Sequence, residues 1–247
     1  MQAFGPLATL FLDAERPQAP AAQLAWITDA LPTDAGTLLA PMCGSGSLLV
    51  PLVAAGRSVH GVDLSPSRIA ACEARLATAG VTTPLFRQDI TQLNLPFRYA
   101  AAFIPGGAMQ LITDSAAVAG MLSRLLAHLV GPGLLLLECY VPAESRQRLG
   151  APLVEVRTVK LPDGTLIALR SESTCWVDAR LLRTDNRYAH RRGAQRLAEE
   201  HETMTVTWYP PDEIADIVRT AGFRDVAIEP SALVAEAGDA FVVSARI

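Results

Sequence analysis

The stretch from Thr37 to Asp63 constrains the fold more than any other. It reads as an apolar strand (Thr37 to Met42), a glycine turn at Cys43-Gly44-Ser45-Gly46, and a helix from Ser47 to Ala55 closed by Gly56. A second strand follows, Arg57 to Asp63, and ends on an acid. Parallel strands need a crossover, and a helix supplies it, so this order predicts a parallel sheet. The carboxyl ends of such strands open onto a crevice, where the next helix offers free amides. Glycines in the turn let a ligand approach the backbone closely. An acid at the second strand end is placed to accept hydrogen bonds from both hydroxyls of an adenosine ribose. The fingerprint G-x-G-x-x-G fails, because its third position counted from Gly44 falls on Leu49. That shifts the ligand away from a nicotinamide dinucleotide.

The alternation continues. Ser65 as N-cap and Pro66 at the first helical position open a helix that stops at Gly80. Pro84 to Gln88 and Tyr99 to Ile104 read as further strands. Val118, Met121, Leu122, Leu125, Leu126 and Leu129 form a helical stripe. Gly131-Pro132-Gly133 turns into a fifth strand, Leu134 to Tyr140. From about Pro152 to Trp208 the pattern becomes strands separated by turns. Pro162-Asp163-Gly164 is a hairpin signal, and Asp185-Asn186 is a second candidate turn. Pro210-Pro211 opens a helix with Ile214, Ile217 and Val218 inward, ending near Gly222. Val226 to Glu229 and Ala240 to Ala245 are final strands that return to the first sheet. The expected fold class is α/β, a doubly wound, mostly parallel, Rossmann-like sheet, with an antiparallel elaboration at 152–208 inserted before the last helix. Residues 1–247 form a single domain in this reading.

Composition limits the function classes. Half of the 247 residues are hydrophobic and 19% are charged, which describes a globular chain. The net charge of −4 argues against a protein whose task is gripping a nucleic-acid backbone. The four cysteines, at 43, 72, 139 and 175, form no CxxC pair and no zinc spacing, so no metal is expected and reduced thiols fit better than a disulfide framework. The first residues lack the basic start of a signal peptide, and no apolar run could cross a bilayer. These features predict a cytoplasmic protein without membrane contact.

These strand ends and turns resemble the motifs of class I S-adenosylmethionine-dependent methyltransferases of the small-molecule type. Met42-Cys43-Gly44-Ser45-Gly46 is similar to the family's glycine motif, and Gly61-Val62-Asp63-Leu64-Ser65-Pro66 to its second motif. Arg87-Gln88-Asp89-Ile90 resembles the third, where an acid meets the adenine amino group. Phe103 to Leu111 resembles the fourth, which borders the transfer centre, and Trp208 to Phe223 the closing helix. The resemblance implies a seven-stranded sheet whose last strand is antiparallel, S-adenosylmethionine as cofactor and S-adenosylhomocysteine as product. It implies cofactor contacts from Cys43, Gly44, Ser45, Gly46, Asp63, Leu64, Arg68, Asp89, Ile90, Pro105, Gly106 and Gln110. Two departures stand out. Ala40 occupies the place of the first-strand acid that helps hold the methionine ammonium, and Ala100 to Ala102 replace the acid of the fourth motif. The first departure leaves a second reading open, a non-catalytic protein that keeps the nucleoside pocket.

Methyl transfer from an activated sulfonium needs mainly positioning and desolvation, so a missing general base does not argue against it. Tyr140, at the end of the fifth strand, is the candidate catalytic residue and contact for the small-molecule acceptor. Glu138, a charge within an apolar strand, either is paired there or reaches the pocket. Cys43 and His60 read as packing residues, and His128 falls off its helix stripe and reads as exposed. His190 and His201 lie in the elaboration, and the basic run Arg187 to Arg192 reads as a solvated hairpin edge. Phe11-Leu12-Asp13 resembles the segment that caps the cofactor pocket in relatives. The elaboration is expected to roof the acceptor pocket; the competing expectation is that it builds the interface of a homodimer.

Overall fold

The computed structural model describes residues 4–31, 36–146, 152–231 and 238–247. Five parallel strands carry the core: β1 (Leu38–Pro41), β2 (Val59–Asp63), β3 (Leu85–Arg87), β4 (Tyr99–Ile104) and β5 (Leu129–Pro142). The chain ends in β10 (Arg224–Pro230) and β11 (Gly238–Arg246). β11 lies antiparallel between β5 and β10, so the sheet runs β10-β11-β5-β4-β1-β2-β3. This is the expected seven-stranded, mostly parallel sheet.

Both faces are covered, as a parallel sheet requires. Leu38, Ala40, Phe103, Leu134 and Leu136 point to one face. There they meet Ile27 of α2 (Ala21–Ala30), Leu49 and Leu52 of α3 (Leu49–Ala54), and Cys72 and Leu76 of α4 (Pro66–Thr78). Leu39, Ala102, Ile104, Leu135 and Leu137 point to the other. They meet the expected stripe of α5 (Ser115–His128) and Ile214 and Val218 of α6 (Pro211–Thr220). Ser65 caps α4 by accepting from the Arg68 amide, with Pro66 in the first turn, as its sequence signals.

A second sheet consists of β6 (Leu153–Lys160), β7 (Leu166–Trp176), β8 (Leu181–Arg192) and β9 (Gln195–Thr207), antiparallel in that order. Its inner face does not sit directly on the large sheet. Ile167, Leu169 and Tyr188 pack instead on Leu7, Ala8 and Phe11 of α1 (Pro6–Glu15), with the Phe11 and Tyr188 rings edge to face at 5.8 Å. The N-terminal helix is thus a middle layer. No helix among the described residues is long and apolar enough to cross a membrane.

Two local expectations are corrected. Asp185-Asn186 is no turn but lies mid-strand in β8, because cross-strand partners take up both side chains. Asn186 accepts from Ser171 Oγ at 2.7 Å, and Asp185 accepts from Thr203 Oγ1 at 2.5 Å. The chain reverses instead at Val177–Arg180, with Arg180 at φ 51°, and at Gly193. His128 is buried, not exposed. It lies in the last turn of α5, where Nε2 accepts from the Leu95 amide at 3.0 Å and Nδ1 lies 2.7 Å from the Arg124 carbonyl. His60 is a buried packing residue as read, set among Phe86, Phe97 and Tyr99, and burial lowers its pKa.

Candidate active site

The carboxyl ends of β1, β2 and β4 open onto a cavity of about 380 Å³. One wall is the glycine turn. The Cys43 amide donates to the Val62 carbonyl, and the backbone then passes through the left-handed region at Met42 (φ 55°), Gly44 (φ 56°) and Gly46 (φ 80°). A Cβ on Gly44 would touch nothing within 4 Å, so its bare α-carbon faces open space. A Cβ on Gly46 would lie 2.5 Å from Cys72 Sγ; this glycine serves close packing of the turn on α4.

Asp63 ends β2 at the cavity. Its Oδ2 accepts from the Gly44 amide and its Oδ1 from the Ser65 amide, both at 2.9 Å. Those two amides set the carboxylate's orientation and leave each oxygen a further lone pair. Leu64 lines the cavity beside it. Arg68, one turn into α4, stacks its guanidinium 4.6 Å over the Phe4 ring, and its Nε is buried without a hydrogen-bond partner. Burial lowers its pKa against the pull of nearby Asp13, Asp63 and Glu202. An unpartnered guanidinium nitrogen beside a cavity is a donor set ready for an anionic or carbonyl ligand group.

The remaining walls come from far along the chain. Phe4 is held in place because its carbonyl accepts from Ser65 Oγ (2.6 Å) and Ser67 Oγ (2.7 Å). Asp13 of α1 accepts from Ser45 Oγ at 2.5 Å and pairs with Arg75 at 3.1 Å, so α1 is tied to the glycine turn. Pro105, Gly106, Gly107, Ala108 and Leu111 follow β4, and Tyr140 stands at the end of β5. The Tyr140 ring lies against Gly107, where any Cβ would collide with its Cδ1 and Cε1. Burial, with Glu144 nearby, pushes the Tyr140 phenol up to about 12. Met204 and Val206 of β9 are the second sheet's contribution to the lining.

Of the residues expected at a cofactor, Cys43, Gly44, Ser45, Asp63, Leu64, Arg68, Pro105 and Gly106 line this one cavity, as does Tyr140. Gly46, Asp89, Ile90 and Gln110 do not line it. Asp89 caps a short 3₁₀ turn by accepting from the Thr91 amide and hydroxyl, at 2.8 and 2.7 Å, and Ile90 is buried in the core. Gln110, also buried, joins strands: Nε2 donates to the Tyr140 and Thr207 carbonyls and Oε1 accepts from the Tyr140 amide. Cys43 is half-buried, and the neighbouring Cys72 thiol together with desolvation holds its own thiol well above the ordinary range, which makes it a poor nucleophile. Sequence reasoning missed Phe4, Gln23, Ser47, Leu48, Met204 and Val206. Gln23 lies on a helix too weakly amphipathic to be noticed, and a wall residue such as Val206 is apolar like any core residue.

Glu138 is paired where it stands and does not reach into the pocket. It is fully buried in β5 and hydrogen-bonded through both carboxylate oxygens. Oε2 accepts from Gln23 Nε2 at 2.9 Å and from the Gly106 amide at 2.6 Å, and Oε1 accepts from Ser231 Oγ at 3.0 Å. It is therefore paired, and two of its partners, Gln23 and Gly106, line the cavity.

Residues 39–131 match a family described as methyltransferase domain. A protein of Geobacillus sp. (strain WCH70), named "Putative methyltransferase", is 31% identical over 98 residues, which is 40% of this chain and 40% of that protein. This chain thus spans two fifths of the curated relative it matches. Three solved structures share the fold across nearly the whole chain. An S-adenosylmethionine-dependent methyltransferase from Clostridium acetobutylicum ATCC 824 has a TM-score of 0.75 at 16% identity, covering 95% of both chains. A sugar N-methyltransferase from Streptoalloteichus sp. ATCC 53650 has 0.75 at 21%, covering 98% of this chain and 94% of that one. An amino pentose methyltransferase from Micromonospora echinaspora, involved in calicheamicin biosynthesis, has 0.69 at 24%, covering 92% and 91%.

Proposed function

We propose that this chain, which carries a methyltransferase domain on the class I fold, transfers a methyl group from S-adenosylmethionine to a small-molecule acceptor. The observation that carries the reading is the junction of the Gly44 turn and the Asp63 carboxylate at one cavity. The turn admits a nucleoside against bare backbone, and the acid offers free lone pairs at the strand end, where ribose hydroxyls need acceptors. When bound, the cofactor supplies an electrophilic methyl group that is already activated.

The protein's task is then to bind, orient and exclude water. Phe4 closes one side of the cavity, and Met204 and Val206 close another. We place the acceptor at the end bordered by Tyr140, Leu111, Met204 and Val206, which makes the elaboration a partial roof within a single domain. The titratable side chains described there offer no general base. Tyr140 stays protonated, Cys43 is held up, Arg68 is a cation, and Asp63 is committed to two amides and the ribose. An acceptor with its own lone pair, such as a neutral amine, fits that lining better than an alcohol, which must lose a proton. The names of two structural relatives, a sugar N-methyltransferase and an amino pentose methyltransferase, support the same choice. The acidic net charge supports a small molecule over a nucleic acid, and four unpaired cysteines support a reducing compartment such as the cytoplasm.

Calorimetry with S-adenosylhomocysteine tests the reading. Wild-type protein binds, and Asp63→Ala loses at least about ten-fold in affinity, since one charge-assisted bond contributes roughly 1.5–3 kcal/mol. Equal binding by wild type and Asp63→Ala refutes the assignment. Labelled methyl transfer to amino sugars, compared with their hydroxyl counterparts, tests the acceptor atom.

A further inference from the structure

The cofactor proposed above carries an α-ammonium, and a cation inside a half-closed cavity needs an acceptor and a compensating negative charge. The first-strand side chain at the place of the missing acid offers neither, because Ala40 is apolar and buried. A charge is present nearby on another strand. Leu39 is level with Ala102, and Ala102 with Leu135, so Ala40 is level with Leu136 two strands across the sheet. Glu138 lies one same-face step further toward the strand end. That places it roughly 10 Å sideways and 7 Å along from Ala40 at ordinary sheet spacing. The face is the same, and α2 covers it.

Glu138 does not line the cavity itself, but Gln23 of α2 does. The chemistry of their contact fixes how Gln23 is turned. A carboxylate only accepts, so the Gln23 atom 2.9 Å from Glu138 Oε2 must be the NH₂ nitrogen. The amide oxygen is then the end left for a ligand, and it has no hydrogen-bond partner among the described residues. The carboxylate polarises the amide as well, drawing density toward that oxygen. The same Oε2 accepts from the Gly106 amide at 2.6 Å, which fixes the opposite lip of the cavity relative to Gln23.

We propose that Gln23 holds the α-ammonium of the cofactor's methionine moiety through its side-chain oxygen, and that buried Glu138 is the positioning residue that turns this oxygen toward the cavity and supplies the counter-charge. The acid missing from the first strand is in effect moved to the fifth and acts through an amide relay. This inference rests on the methyl-transfer reading, and its test separates the two.

The probes are S-adenosylhomocysteine and its desamino analogue, which differ only in the ammonium. Calorimetry measures both on wild type, Gln23→Leu and Glu138→Gln, with thermal unfolding as the check on folding. Wild type is expected to prefer S-adenosylhomocysteine by at least about ten-fold, the scale of one charged hydrogen bond. Gln23→Leu removes that preference and binds the desamino analogue within about two-fold of wild type, as a change confined to the ammonium contact requires. Glu138→Gln shows the same selective loss, because a neutral amide neither fixes the orientation of Gln23 nor carries the charge. Gln23→Leu is at the cavity edge and keeps the test decisive if Glu138→Gln fails to fold. The inference is overturned if Gln23→Leu keeps the wild-type preference, if it weakens both probes equally, or if wild type does not distinguish them. Wild-type protein that binds neither probe overturns the methyltransferase reading itself.

Discussion

The N-terminal helix has no side-chain cap of its own, and that makes Glu200 a sharp test of how the two sheets are joined. Gly5 is the N-cap of α1 and offers no acceptor. Glu200, in β9, takes that role from 193 and 192 residues away: Oε2 accepts from the Leu7 amide at 2.9 Å and Oε1 from the Ala8 amide at 3.0 Å. These are the first-turn amides that a local Ser or Asp would satisfy, and a carboxylate also suits the positive end of the helix. Glu200→Ala leaves both amides without their partner. Loss of a cap costs about 0.5–2 kcal/mol and loss of the charge–dipole contact about 0.3–1 kcal/mol, so roughly 2 kcal/mol is expected. In a chain of this size that lowers the thermal midpoint by roughly 4–8 °C when α1 unfolds with the rest. The effect should reach the cavity, because α1 carries Asp13, which holds Ser45, and leads directly from Phe4. S-adenosylhomocysteine affinity should therefore fall several-fold, and limited proteolysis should cut first near the N-terminus. Glu200→Gln retains one oxygen and should lose about half as much stability. A Glu200→Ala protein whose midpoint, proteolysis pattern and nucleoside affinity all match wild type would refute the clamp.

Two further outcomes follow from packing and burial. Gly46→Ala puts a Cβ 2.5 Å from Cys72 Sγ at a backbone of φ 80°, and should lose about 2–4 kcal/mol in urea unfolding from strain plus overpacking. Adding Cys72→Ala to it should recover only the steric part, and a loss below about 0.5 kcal/mol in the single variant would contradict this geometry. Burial also pushes Cys139 up to about 12 from 9.0 and Tyr140 up to about 12 from 10.0. The folded chain then keeps protons that the unfolded chain releases, so this stability is intact below pH 9.0 and is lost as pH rises toward 12. Thermal midpoints should be level up to that lower bound and fall beyond it; a profile that stays level to pH 11 is the contrary result.

What could be read from the sequence is what neighbours in the chain decide. The apolar runs of β1, β2 and β4, the stripe of α5, the Ser65-Pro66 helix start and the glycine turn all act within a few residues, and each appears in place. Asp63 was legible for the same reason, since a strand end and the turn before it are local facts. The misleading local signals were those that tertiary partners overrode. Asp185-Asn186 looks like a turn until Thr203 and Ser171 take up its side chains, and His128 looks exposed until the Leu95 amide meets it. The site's walls and supports depend on residues that no window of sequence contains together. Gln23 and Glu138 are 115 positions apart, and Gln110 and Thr207 are 97 apart. A buried carboxylate or amide settles wherever distant donors satisfy it, because an unpaired polar group in the interior is costly. The glycine turn and the acid that meet at the cavity were therefore written locally. Only the folded chain decided that an N-terminal helix separates the two sheets, and that the acid of the fifth strand is buried and paired beside the cavity rather than reaching into it.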